Sequence, residues 1–174
     1  MSWKIGFILL KSRWQGAETD LLDELGLTEA GEPRKLHIDE ATKLYPSTTA
    51  VAVGDDYTMI LNDLLPYDLS FEPPFSWDLD ESLKNLSKTA PVLAGFMDGA
   101  TSTYGFCIFE KGKVTRARQV VSARLETNFG ELCPEENETS DEEAAIFALT
   151  TRWLGEPLYE FFFKPAFSMK VYET

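Results

Sequence analysis

Three strand-like runs follow one another between Val92 and Arg124, VLAGFMDGATSTYGFCIFEKGKVTRARQVVSAR, divided by D-G-A-T at 98–101 and E-K-G-K at 110–113. Apolar runs split by such turn signals read as consecutive antiparallel hairpins, and no other stretch constrains the architecture as much. A two-residue turn at Lys111-Gly112 uses glycine for the positive φ that primed turns need. Counting outward from it, Glu110 faces Lys113, Phe109 faces Val114, Cys107 faces Arg116 and Gly105 faces Arg118, while Ile108 and Phe106 fall opposite Thr115 and Ala117. This parity predicts a core face of Leu93, Met97, Phe106 and Ile108. It gathers Arg116, Arg118 and Cys107 on the other face, with Val92, Ala94 and Phe96. Moving a turn by one residue would exchange the faces.

Two arginines on a half-covered sheet face allow two readings. They recognise an anionic small molecule bidentately, with Cys107 beside them. Or they pair with the chain's own carboxylates, or stand in solvent, as alternating charge on an outer antiparallel face does.

The balance of charge narrows the partners. Sixteen basic residues against 29 acidic ones leave a net charge of −13. That opposes binding to a nucleic-acid backbone and to an anionic membrane surface, and it suits solubility or a basic protein partner. The opening MSWKIGFILLK is too short in its apolar run for a secretory signal and reads as a first strand. No stretch approaches the roughly 20 apolar residues of a membrane span. A cytoplasmic protein is the expectation.

Along the chain, Lys4 to Leu10 is a buried strand. Glu18 to Leu25 is a short helix closed by Gly26, and Ile38 to Tyr45 is another, stopped by Pro46. Ala50 to Leu61 is a hairpin around Gly54-Asp55-Asp56, ordinary turn chemistry despite its resemblance to the metal-binding carboxylates of polymerase palms. Pro66 to Trp77 is a long aromatic and proline-rich loop whose Tyr67, Phe71, Phe75 and Trp77 form a lid or groove over the sheet. Asp78 with Glu81 spaces as a capping box ahead of a helix to Lys88. The stretch 130–141, GELCPEENETSD, reads as a solvated, mobile acidic loop. Ser140 with Glu143 opens a helix that Gly155 ends. Pro157 starts a short aromatic helix with Tyr159 and Phe161 to Phe163, and Phe167 to Tyr172 is a last strand.

The chemistry-bearing motifs are sparse. The single histidine, His37, and the two cysteines, Cys107 and Cys133, supply no zinc-ligand spacing, so no metal is expected. A Cys107/His37 dyad would need distant segments brought together. No glycine loop precedes a helix to cradle phosphate, and no cofactor is expected. Within TYGFCIFEKG, Tyr104, Gly105, Phe106 and Phe109 resemble the core of the first ribonucleoprotein motif of RNA-recognition domains, whose aromatics stack bases. The leading basic residue and glycine of that motif are missing, and the charge opposes RNA.

The block GFCIFEKGKVTRARQ (105–119), the loop GELCPEE (130–136) and the helix AIFALTTRWLG (145–155) together resemble small uncharacterised bacterial domains over the C-terminal half of the chain. The resemblance implies a bacterial, cytoplasmic protein of α+β layout and carries no activity with it.

The sequence thus predicts one α+β domain over residues 1–174, with a central, mostly antiparallel sheet and short helices mainly on one face. The function it points to is non-enzymatic binding or protein interaction, immunity-like or regulatory, through an acidic surface or an aromatic groove. The alternative is a small enzyme or ligand-binding domain with an anion site at Arg116, Arg118 and Cys107.

Overall fold

In a computed structural model, residues 4–27, 34–36, 48–62, 65–158, 160 and 169–173 are described. Among the described residues nine strands form one sheet: β1 (Lys4–Leu10), β2 (Arg34–Leu36), β3 (Thr48–Val53), β4 (Thr58–Leu61), β5 (Val92–Asp98), β6 (Thr103–Glu110), β7 (Lys113–Val121), β8 (Arg124–Gly130) and β9 (Met169–Glu173). Their order is β2-β9-β3-β4-β1-β5-β6-β7-β8, and every described pairing is antiparallel. Helices α1 (Glu18–Glu24), α2 (Leu65–Asp68), α3 (Asp78–Leu86), α4 (Pro134–Glu138) and α5 (Glu142–Leu154) punctuate the strands. The architecture is α+β, as the sequence predicts. His37, the helix expected at 38–45 and most of the aromatic helix expected after Pro157 lie outside the described residues.

The centre of the sheet is buried on both sides, which explains why β1 reads as an unbroken apolar run. Phe7 and Leu9 face one layer with Leu93, Met97, Phe106, Ile108 and, from α5, Ile146 and Leu149. Ile8 and Leu10 face the other with Val92, Ala94, Phe96 and Phe109, under Leu21 and Leu22 of α1, Leu65 of α2 and Leu79, Leu83 and Leu86 of α3. Helix α5 lies on the first face, and α1, α2 and α3 lie on the second. Each large apolar side chain so enclosed contributes about 1.5–3 kcal/mol of burial.

The aromatic loop divides into cover and rim. Phe71 and Phe75 are buried. Phe71 meets Phe96 edge-on at 5.5 Å, and Phe75 meets Phe129 at 5.0 Å. Gly105 makes room for them: a Cβ there would lie 2.7 Å from the Phe96 ring and 2.9 Å from that of Phe71. Tyr67 and Trp77 instead stay 73% and 52% exposed.

The meander overturns one expectation. Glu110 pairs with Lys113 and Phe109 with Val114, but the next pair is Ile108 with Arg116, followed by Cys107 with Ala117 and Phe106 with Arg118. Thr115 is the extra residue of a β-bulge, and its hydroxyl donates to the Ile108 carbonyl at 3.4 Å. From there on, every β7 side chain is on the face opposite the predicted one. Arg116 and Arg118 join Phe106 and Ile108, and Cys107 is left on the far side of the sheet. β8, absent from the sequence reading, carries a second irregularity at Glu126, between the pairs Gln119–Thr127 and Val120–Leu125.

Candidate functional site

Arg116 is the largest fully buried side chain. Its Nε and one terminal nitrogen donate to the two carboxylate oxygens of Glu136, at 2.8 and 2.5 Å. The other terminal nitrogen donates to the carbonyls of Phe129 and Ala117, at 2.6 and 3.1 Å. The guanidinium also lies 5.9 Å from the Phe106 ring centre. Arg118 makes the same two-pronged contact with Glu142, at 2.8 and 2.5 Å, and stands 3.8 Å from Glu136. Two parallel N–H···O bonds are the strongest geometry available to an arginine and a carboxylate.

Glu136 comes from the stretch expected to be a mobile acidic loop, and Glu142 from the first turn of the helix that follows it. Pro134 opens α4 at its first turn, where its missing N–H is no loss. The Cys133 N–H donates to Glu136 at 2.8 Å, so one carboxylate both caps the helix and neutralises Arg116. Asp141, rather than Ser140, caps α5 by accepting from the Ala144 N–H, and Gly155 ends that helix in the left-handed region. Burial alone would raise the Glu136 carboxyl. The bonds from Arg116 and the Cys133 N–H, with the Arg118 charge nearby, more than offset it and hold the group below its usual value. With four of its five N–H donors on Glu136 and two carbonyls, Arg116 has no two-pronged edge left for an external anion.

Cys107 is not a member of this cluster. It is fully buried opposite the arginines, its thiol pushed well up by burial and by Asp80. A protonated, enclosed thiol is no nucleophile. Cys133 is half-buried, and burial followed by the charges of Glu136 and Glu135 pushes its thiol up to about 11. Asp55, from the G-D-D turn, pairs with Arg13 at 3.2 Å. Among the described residues no group of three or more histidine, cysteine or acidic side chains is placed to hold a metal ion.

Two of the clefts among the described residues bear on these groups. The larger, about 550 Å³, lies on the arginine face, where Lys11, Arg152, Trp153 and Cys133 surround a floor that includes Ile108 and Leu149. The other, about 370 Å³, is on the opposite layer and is lined by Leu25, Gly26, Leu27, Leu79, Tyr67, Trp77, Asp68 and Asp78. In this groove the two exposed aromatics stand beside two carboxylates, neither of which is ion-paired among the described residues. Burial raises the Asp68 carboxyl above its ordinary range.

The groove owes its shape to Asp80. This side chain, at the third position of α3, is fully buried and accepts from the Trp77 and Ser70 N–H groups at 3.1 and 3.3 Å, drawing both ends of the segment 70–77 onto the helix. Asp80, not the expected Asp78/Glu81 pair, organises the helix start. Burial pushes it up to about 6, although the two N–H bonds and Lys84 pull the other way. A carboxyl raised in the folded state stabilises fully below its unfolded pKa, roughly 4, and loses that contribution as pH rises through the folded value. Urea denaturation of the wild type and Asp80→Asn at pH 5 and pH 7 tests this. The wild type is expected to gain stability relative to the variant on acidification, and equal pH slopes would refute the assignment.

The fold and its sites define an α+β protein with one antiparallel sheet, an arginine pair neutralised from within and an aromatic, acidic groove. No family model matches the chain, and neither does any curated protein or solved structure. No helix among the described residues is long and apolar enough to cross a membrane.

Proposed function

We propose that the protein is a non-enzymatic binding domain that docks a basic segment of a protein partner in the groove of Tyr67 and Trp77. The observation that carries this reading is the placement of two exposed aromatic rings beside Asp68 and Asp78, two carboxylates with no ion pair among the described residues. An ammonium or guanidinium is attracted to an aromatic face, by about 0.5–2 kcal/mol depending on desolvation, and the carboxylates add charge complementarity. A net charge of −13 speeds the approach of a basic partner at low ionic strength. Both cysteines are free thiols, in keeping with a reducing, cytoplasmic setting. The two arginines hold the molecule together instead of holding a substrate.

A lysine- and arginine-rich octapeptide titrated by calorimetry is the test. Binding is expected to weaken with salt and to fall about tenfold in Trp77→Ala and in Asp68→Asn/Asp78→Asn. Peptide binding that survives both variants would remove the groove from the reading. An acidic octapeptide binding equally well would overturn it.

A further inference from the structure

The larger cleft is independent of the groove and has the opposite chemical character. Its volume of about 550 Å³ falls within the range of small-molecule pockets. Its apolar lining is Ile108 and Leu149 from the layer beneath α5, whereas Val114 and Phe129, which border the cleft, turn their side chains to the other layer. Trp153 forms a wall, and the Lys11 ammonium lies 5.9 Å from its ring centre. Two cations stand at the mouth in a chain that is otherwise strongly acidic. Lys11 makes no ion pair among the described residues. Arg152 is 59% exposed at its side chain and uses only one terminal nitrogen, on Glu135 at 3.1 and 3.4 Å. Its Nε and second terminal nitrogen have no hydrogen-bond partner among the described residues.

We infer that this cleft binds a small amphipathic monocarboxylate, its apolar body against Ile108, Leu149 and Trp153 and its carboxylate between Lys11 and Arg152. The unused edge of Arg152 supplies the two donors that a carboxylate takes in parallel, and Glu135 keeps the guanidinium in place. Glu110 and Glu131 also line the cleft. Neither forms an ion pair among the described residues, and together they disfavour a dianion. The buried Arg116 takes no part, because Glu136 and two carbonyls occupy it.

Octanoate, octan-1-ol and octylammonium share one apolar body and differ in the charge of the head, so calorimetric titration with all three tests the inference. Octanoate is expected to bind about tenfold tighter than octanol, with octylammonium weakest. Arg152→Met and Lys11→Met should each bring octanoate down to the octanol level without changing octanol itself. Lys11→Met serves as the second variant because removing Arg152 also unpairs Glu135. The inference is overturned if octanoate binds no tighter than octanol, if octylammonium binds best, if neither variant weakens octanoate, or if none of the three binds at millimolar concentration. None of these outcomes bears on peptide binding at the Tyr67/Trp77 groove, which lies on the other layer of the sheet.

Discussion

Arg116→Ala is expected to destabilise the protein by about 3–5 kcal/mol, the usual cost of removing one partner of a buried pair. The side chains of Arg116 and Glu136 are 2% and 5% exposed. Deleting the guanidinium therefore strands a buried carboxylate, leaves the Phe129 carbonyl without its 2.6 Å donor and opens a hole beside Phe106. At about 2–4 °C per kcal/mol for a chain of this length, the melting temperature should drop by roughly 10 °C. The double variant Arg116→Met/Glu136→Leu should recover much of the loss, because it removes the stranded charge and refills the space. Arg118→Ala should cost less, since that pair is 21% and 23% exposed at its side chains. Acid acts on the same contact. The lowered Glu136 carboxyl contributes stability that is present above its unfolded pKa and lost as pH falls through the folded value. Urea titrations of the four proteins at pH 7 decide the matter, and a loss under about 1 kcal/mol in Arg116→Ala would show that water reaches the pair.

Gly130→Ala is the second large effect, expected at about 3 kcal/mol or more. The glycine has φ +84, where an L side chain costs about 1–2 kcal/mol. A Cβ there would also lie 2.1 Å from the Thr115 carbonyl oxygen and 3.2 Å from the Arg116 Cα. Both are backbone atoms, so no rotamer change relieves the contact. The end of β8 must then separate from β7, drawing the Phe129 carbonyl away from Arg116. Gly26→Ala is the control: the same left-handed backbone, at φ +70, with nothing within 4 Å of the added methyl. It should lose only the conformational part. If thermal melts of the two variants coincide, close approach at Gly130 is not what the glycine provides.

The meander shows which parts of this molecule were legible in the residues. Val92–Asp98, Thr103–Glu110 and the Lys111-Gly112 turn follow from alternation and turn chemistry, and the facing of β5 against β6 follows with them. The facing of the arginines does not. A bulge at Thr115 leaves no mark in apolar alternation, because Thr115 is as acceptable on an outer face as in a bulge. One extra residue moved Arg116 and Arg118 into the layer beneath α5 and away from Cys107. The acidic stretch after Gly130 was equally opaque. With 29 carboxylates in the chain, nothing singled out Glu136 and Glu142 as partners for two particular arginines. A usable signal did exist in the Cys-Pro-x-Glu pattern from Cys133 to Glu136, where proline starts a helix and the glutamate reaches back to its own cap. Another was the alternation of Thr127 and Phe129, which marked part of β8. In the aromatic loop, composition suggested a cover, but only the packing separates Phe71 and Phe75, which cover, from Tyr67 and Trp77, which remain available.

The order of strands has a kinetic corollary. β5, β6, β7 and β8 join their neighbours through short turns, so closing each loop costs little entropy. The other flank is assembled from remote sequence: Val51 pairs with Lys170 and Arg34 with Val171, each across more than a hundred residues. The meander can register its strands on the timescale of hairpins, whereas the β2-β9-β3 flank must wait for distant segments to meet. Arg116 belongs to the early half, while Glu136, which neutralises it, sits on a helix that follows. Only 20 residues separate the two, so the charge and the carboxylate that neutralises it belong to the same local half of the chain.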